Sequence, residues 1–235
     1  MKDERKSILI KLMHKQSMTF NELWGKQGES NAFAYHLKVL EEDGLVCKGE
    51  KGYSLTHEGK KSAAYIDGET GNTAKFPLVA VIIAVKHPEK DAYLMNYRTK
   101  EPFYGYWGFH GGKLKFDQFI LECAAEELKQ ETGLSCSLQP KGIMSIKTYG
   151  DGKLSYNHQL VIVRGTSPKG RLVKRTREGE NKWVLAKEIS ELKTFPDIPA
   201  IIDIVKGKSF AWVETERTLE NDEFKRLGSL RRLKI

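Results

Sequence analysis

The 235-residue sequence predicts two domains: a mainly α N-terminal one completed by a β-hairpin, and a C-terminal α/β one. Three observations predict it. Residues 4–66 fall into short blocks with apolar residues at helical spacing. Beyond residue 77, apolar strand-like runs alternate with helical ones. Between these regions DGETGNTAKFP (67–77) is rich in Gly and Thr, lacks apolar periodicity, and reads as a seam. The expected boundaries are 1–68, a linker at 69–76, 77–210, and a basic extension at 211–235.

In the first helix, over 4–15, Ile8, Leu9 and Leu12 share one stripe. MTFNELWGK forms a second short helix, with Thr19 as cap and Phe20, Leu23 and Trp24 turned inward. Ser30 and Asn31 open a third, in which Phe33, Leu37 and Leu40 recur at i, i+4 and i+7 and Gly44 ends the run. LVCKGEKGYSLT is a hairpin turning at GEKG, and a last helix starts at Thr56. SNAFAYHLKVLEEDGLV, the hairpin and LTHEGK together resemble the winged helix-turn-helix of small prokaryotic regulators, over about residues 3–66. The resemblance implies that Asn31, Ala32, Tyr35 and Lys38 face a DNA major groove and that Lys48 and Lys51 on the wing touch phosphates. Residues 1–70 hold eleven basic and eleven acidic residues, so DNA affinity there rests on local clustering of Lys38, Lys48 and Lys51 in a homodimer. A protein-interaction module is the competing reading.

After the seam come the strands PLVAVIIAVKH and DAYLMNYRT, a helix at 117–132, and the strands KGIMSIKTYG and NHQLVIVRGT. ENKWVLAKEISEL reads as a strand leading into a helix, and PDIPAIIDIVKG as a further helix. The longest apolar run, PLVAVIIAV at 77–85, suits a buried strand, so no membrane contact is expected. MKDERKSILIKLMHK lacks the apolar core and cleavage site of a secretory signal, which places the chain in the cytoplasm. Cys47, Cys123 and Cys136 are odd in number and lack metal spacing; reduced thiols in packed positions are expected. The net charge of +8 lies beyond residue 70, much of it in KGRLVKRTR (169–177) and KRLGSLRRLKI (225–235). Such clusters attract phosphates or nucleic acid, or form a solvated face.

The stretch with the most chemistry is GGKLKFDQFILECAAEELKQETGL (111–134). Ile120, Ala124 and Leu128 form one stripe of its helix. Glu127, Gln130 and Glu131, at i, i+3 and i+4, share another face and can converge on one hard cation. The run resembles the Nudix signature: Gly, five residues, Glu, seven residues, then Arg-Glu-apolar-x-Glu-Glu-x-Gly-apolar. Anchored on Gly112, it closes without gaps at Gly133 and Leu134. With YWGFHGGKL upstream and EGENKWVLAKEI downstream, the resemblance covers about residues 76–210 and implies a mixed sheet sandwiched by helices.

The Nudix resemblance implies cleavage of a pyrophosphate in nucleoside diphosphates linked to another group, with Mg2+ held by glutamates of the box helix. Glu127 matches the first helix glutamate, a metal ligand and candidate base, and Glu131 matches the last. Gln130 replaces a further ligand, Glu126 replaces an arginine, and Gln118 replaces the loop glutamate. Gly111, Gly112, Lys113, Trp107 and His110 are the expected nucleotide-binding residues. Tyr106, Trp107 and His110 are equally readable as core residues. Glu178 and Glu180 are candidates for a remote carboxylate, a surface loop being the plainer reading.

Loss of a positioned base costs on the order of 10²–10⁴ in rate, whereas Mg2+ binding needs one or two carboxylates plus substrate phosphates. The leading expectation is therefore a regulator: a catalytically weakened Nudix domain senses a nucleoside-diphosphate-type ligand and a winged helix binds DNA. The alternatives are a Mg2+-dependent hydrolase with an accessory winged helix, and a non-catalytic RNA- or protein-binding adaptor.

Overall fold

The computed structural model describes residues 3–67, 74–221 and 223–233. Contacts divide the chain between Phe76 and Pro77 into two compact units. Residues 68–73, which include most of the expected linker, lie outside the described residues. Just after them, Ala74 N–H donates to Tyr65 O at 2.9 Å, and the Phe76 ring stands edge-on to Tyr65 at 5.9 Å.

The first unit contains α1 (Asp3–His14), α2 (Phe20–Trp24), α3 (Ser30–Glu42), β1 (Val46–Gly49), β2 (Gly52–Leu55) and α4 (His57–Ala63). A five-residue helix such as α2 does not persist by itself, and a capping box fixes it. Thr19 Oγ1 accepts from Glu22 N–H at 3.3 Å, and Glu22 Oε2 accepts from Thr19 N–H at 2.7 Å. Ile8, Leu9, Leu12, Leu23, Leu37, Leu40 and Val46 bury together, so the stripes read from the sequence meet in one core. This order of helices and hairpin is compatible with a winged helix. Cys47 departs from expectation: it lies exposed on β1, because only Val46 of that strand turns to the core.

The second unit is built on a mixed sheet. Its elements are β3 (Leu78–Lys86), β4 (Ala92–Arg98), β5 (Trp107–Gly108), β6 (His110–Lys113), α5 (Ile120–Thr132), β7 (Ser135–Gly150), β8 (Lys153–Lys169) and β9 (Gly179–Leu185). A 3-10 helix (Ala186–Glu191), α6 (Ile198–Lys206), β10 (Ala211–Glu220), β11 (Glu223–Leu227) and β12 (Arg231–Leu233) complete it. The strand order is β11-β10-β7-β8-β3-β4-β5, with β12 beside β10, β6 beside β3 and β9 beside β4. β3 runs parallel to β8 and β10 parallel to β7; the other pairs are antiparallel.

Period-two alternation in β3 sorts the core into two layers. Val81, Ile83 and Val85 pack with Cys123, Ala124 and Leu128 of α5. Ala80 and Ala84 join Ile198, Ile201, Ile204 and Val205 of α6. The helices therefore cover opposite faces of the sheet.

The chain after residue 210 is a correction. Rather than an appended extension, β10 adds a parallel strand to β7, and β11 and β12 flank it. Val213, Thr215, Arg217 and Leu219 are alternately buried, a strand pattern that the polar members hide. Arg217 is buried because Asp197 pairs with it at 2.8 Å and Phe224 lies under its guanidinium at 4.5 Å. Among the described residues no helix is long and apolar enough to cross a membrane.

Candidate functional site

The site is set by the contact of α5 with β6. Burial of Cys123, Ala124 and Leu128 against the sheet turns Glu127 and Glu131 toward the strand edge. A Cβ added at Gly112 would overlap the Glu127 carboxyl group, so only glycine lets that side chain lie on the strand backbone. The Gly111 N–H favours the charged form of the Glu131 carboxylate. Gly133, with φ 74°, caps the helix in the left-handed region and donates to Lys129 O at 2.9 Å. Gly112 thus makes room for Glu127 at the strand, and Gly133 ends the helix that carries both acids.

The electrostatics are unbalanced. Burial, then the neighbouring Glu127 and Glu178, push the Glu131 carboxyl up to about 7, against smaller opposition from Arg98 and the Gly111 N–H. Glu127 is also raised, first by burial and then by Glu126, with Glu178 contributing. Glu178 therefore shares a field with both box acids. Around them stand bases. Lys100 Nζ is 3.0 Å from Glu178 Oε1, Arg177 Nε is 3.4 Å from it, and Arg98 donates to Pro102 O at 3.1 Å. The carboxylates would favour a cation and the neighbouring bases an anion.

The substituted box positions form a network of their own. Glu126 receives Lys115 Nζ at 3.2 Å, the Gln118 amide, and Gln130 Nε2 at 2.9 Å. The loop before the helix is thus tied to α5 by amides and a lysine. Gln130 gives its amide N–H to Glu126, one turn away, and its Oε1, the atom a cation would take, is not part of that contact.

His110 is a correction. It is 1% exposed, Nε2 lies 2.9 Å from Asn181 Oδ1, and burial lowers its pKa to about 4. A ring so enclosed cannot stack on a ligand base. Tyr106 is likewise buried, between Phe195 and Phe224, and Trp107 packs half-buried beside Tyr97 at 5.4 Å. Lys113 is exposed, and its carbonyl accepts the Cys123 thiol at 3.7 Å.

In the first unit Asn31, Ala32, Tyr35 and Lys38 are all exposed on α3, and Lys48 and Lys51 are exposed on the hairpin. Lys38 lies 3.7 Å from Glu42, and Lys48 Nζ sits 5.7 Å over the Tyr53 ring.

Sequence reasoning named Glu178 only as an alternative to a surface loop, and it passed over Asn181, Asn96, Arg98 and Lys100. The available signal is an asparagine at an inward position of each of two strands, AYLMNYR and GENKWVL. Glu180 points elsewhere, paired with Arg175 at 2.8 Å.

Glu127 and Glu131 supply hard oxygen donors with excess negative charge, which fits a divalent cation. Among the described residues no three His, Cys, Asp or Glu side chains form a ready metal cage, so further ligands would come from phosphate oxygens or water.

Comparison with known proteins agrees with this fold. Residues 76–203 match the NUDIX domain, and the chain belongs to that family, whose hydrolases generally use a divalent metal. A mutator MutT protein from Bacillus halodurans has the same fold, with a TM-score of 0.56 at 24% identity over 66% of this chain and 97% of its own. The NUDIX domain of Shewanella oneidensis NrtR, complexed with ADP ribose, gives 0.50 at 15% identity over 64% of this chain and 97% of its own. No curated protein matches the chain significantly.

Proposed function

We propose that the second unit binds a nucleoside-diphosphate derivative together with a divalent cation such as Mg2+, and that the chain is a regulator whose first unit, a winged helix, binds DNA as a homodimer. The observation that carries the ligand reading is the trio Glu127, Glu131 and Glu178, mutually repelling and ringed by Arg98, Lys100 and Arg177. A cation on Glu127 and Glu131 would relieve the repulsion, and the bases would receive diphosphate oxygens. When bound, the ion would supply charge neutralisation at those oxygens. The NrtR domain, complexed with ADP ribose, supports that compound as a first probe.

The regulator reading draws on depletion of the box chemistry while its shape is kept. Glu126, Gln118 and Gln130 are engaged with one another, whereas Gly112, Leu128, Gly133 and Leu134 keep the strand–helix contact. DNA binding draws on the exposed row Asn31, Tyr35 and Lys38 with Lys48 and Lys51 nearby in sequence on the hairpin. One observation favours the competing hydrolase: a Glu131 carboxyl near pKa 7 is matched to a general base at neutral pH.

Product release from ADP ribose and nucleoside triphosphates with Mg2+ or Mn2+, beside a Glu127→Gln control, separates the two. Turnover near 1 s⁻¹ or above that the substitution abolishes would overturn the sensor reading, since that lies in the ordinary enzyme range. Binding without turnover is the expected result.

A further inference from the structure

A buried polar junction ties the box helix to the segment carrying Glu178. Asn181, in β9, is 6% exposed. Its Nδ2 donates to Glu131 O at 2.7 Å and to Val173 O at 2.8 Å. Its Oδ1 accepts from Asn96 Nδ2 at 2.9 Å and lies 2.9 Å from His110 Nε2. A primary amide has two N–H donors and two carbonyl lone pairs, so all four are used. Because that oxygen can only accept, the His110 proton belongs on Nε2. The unpartnered, buried Nδ1 then carries the lone pair.

Four chain segments meet at this amide. Glu131 O is among the final carbonyls of α5 that have no partner within the helix. Val173 lies on the stretch that leads to Glu178, and its N–H donates to Thr132 O at 2.9 Å. On the other side β9 pairs with β4, Asn96 opposite Asn181 and Arg98 opposite Gly179. His110 adds β6, the strand that holds Gly111 and Gly112. Glu178 is three residues before Asn181, at the end of the clamped stretch.

We propose that Asn181 is a positioning residue that sets Glu178 against Glu127 and Glu131, so that three carboxylates from two separate elements act as one ligand-binding unit. The affinity readout rests on the nucleotide reading above; the geometry does not. The plainer role, a buried amide that only stabilises the fold, makes a different prediction.

The test is a double-mutant cycle on the full chain, reading affinity for ADP ribose with Mn2+. Asn181→Asp keeps the acceptor for Asn96 and His110 and removes both donors. It should weaken binding about tenfold or more, the scale of one or two lost hydrogen bonds. In a Glu178→Gln background, with no third carboxylate to place, the same substitution should add less than about twofold. Equal losses in both backgrounds would mark Asn181 as merely structural and overturn the proposal. Asn181→Ala is read the same way if the aspartate variant does not fold. If the native chain binds no ADP ribose, the nucleotide reading falls and amide hydrogen exchange decides the positioning claim. Exchange must then rise together in residues 129–133 and 173–181 of the Asn181 variant, and stay native in Glu178→Gln. Native exchange in either segment of the Asn181 variant would sink it.

Discussion

Helices α3 and α5 are both thirteen residues long and both bury an apolar stripe, Leu37 and Leu40 in one and Ala124 and Leu128 in the other. They part company on their polar faces. On α3, Asn31, Tyr35 and Lys38 stand in solvent, and Tyr35 is 57% exposed. On α5, Glu126 is held by three side chains, while burial and neighbouring carboxylates raise the pKa of Glu127 and Glu131. A face of the first kind suits an extended partner that brings its own order. A face of the second kind is preorganised for a small charged ligand, at a cost in stability while it is empty.

The comparison breaks first at Glu127. Glu127→Gln should lower any pyrophosphate cleavage by about 10²–10⁴-fold, measured as product release. A smaller loss would show that α5 is not the chemical face. Next come the stripes, where the helices should behave alike. Leu128→Ala and Leu37→Ala should each cost about 2–5 kcal/mol in urea unfolding, since both side chains are fully buried. A large gap between them would mean that one unit's core collapses around the cavity.

Stability against pH sharpens the contrast further. Glu131, with its folded pKa raised to about 7 from 4.5, contributes stability that is present below pH 4.5 and lost as pH rises through 7. Glu131→Gln should therefore raise Tm at pH 8, by up to roughly 3 kcal/mol of stability, and leave it unchanged at pH 4.5. His110, lowered to about 4 from 6.5, acts oppositely: stability is present above pH 6.5 and lost as pH falls toward 4. His110→Asn should flatten that acid limb. On α3 the effect is smallest. Lys38→Ala should change stability within about 0.5 kcal/mol, yet reduce the salt slope of DNA binding by about one. An unchanged slope would remove Lys38 from the interface.

How much of this was legible depended on whether a residue's role follows from its neighbours in sequence. Thr19, Gly44, Gly112 and Gly133 act on residues within their own turn or box, and periodicity and spacing disclosed them. The strand β10 was hidden because its inward positions include Thr215, which donates to Gly228 O, and Arg217, whose partners lie at 148, 197 and 224. His110 is in the loop motif but is claimed by Asn181, 71 residues on. Gln130 has ligand spacing, yet that spacing equally fits the Glu126 contact one turn back, and nothing local decides between them. Glu178 enters the site only because sheet pairing brings β9 beside β4.

The most direct measurement is calorimetric titration of the full chain with ADP ribose at pH 8, with and without Mg2+, repeated on Glu131→Gln. The account predicts Mg2+-dependent binding that the substitution weakens about tenfold or more even though the variant is the more heat-stable protein. Binding that is absent, or equally tight without the cation and without the Glu131 charge, would contradict it.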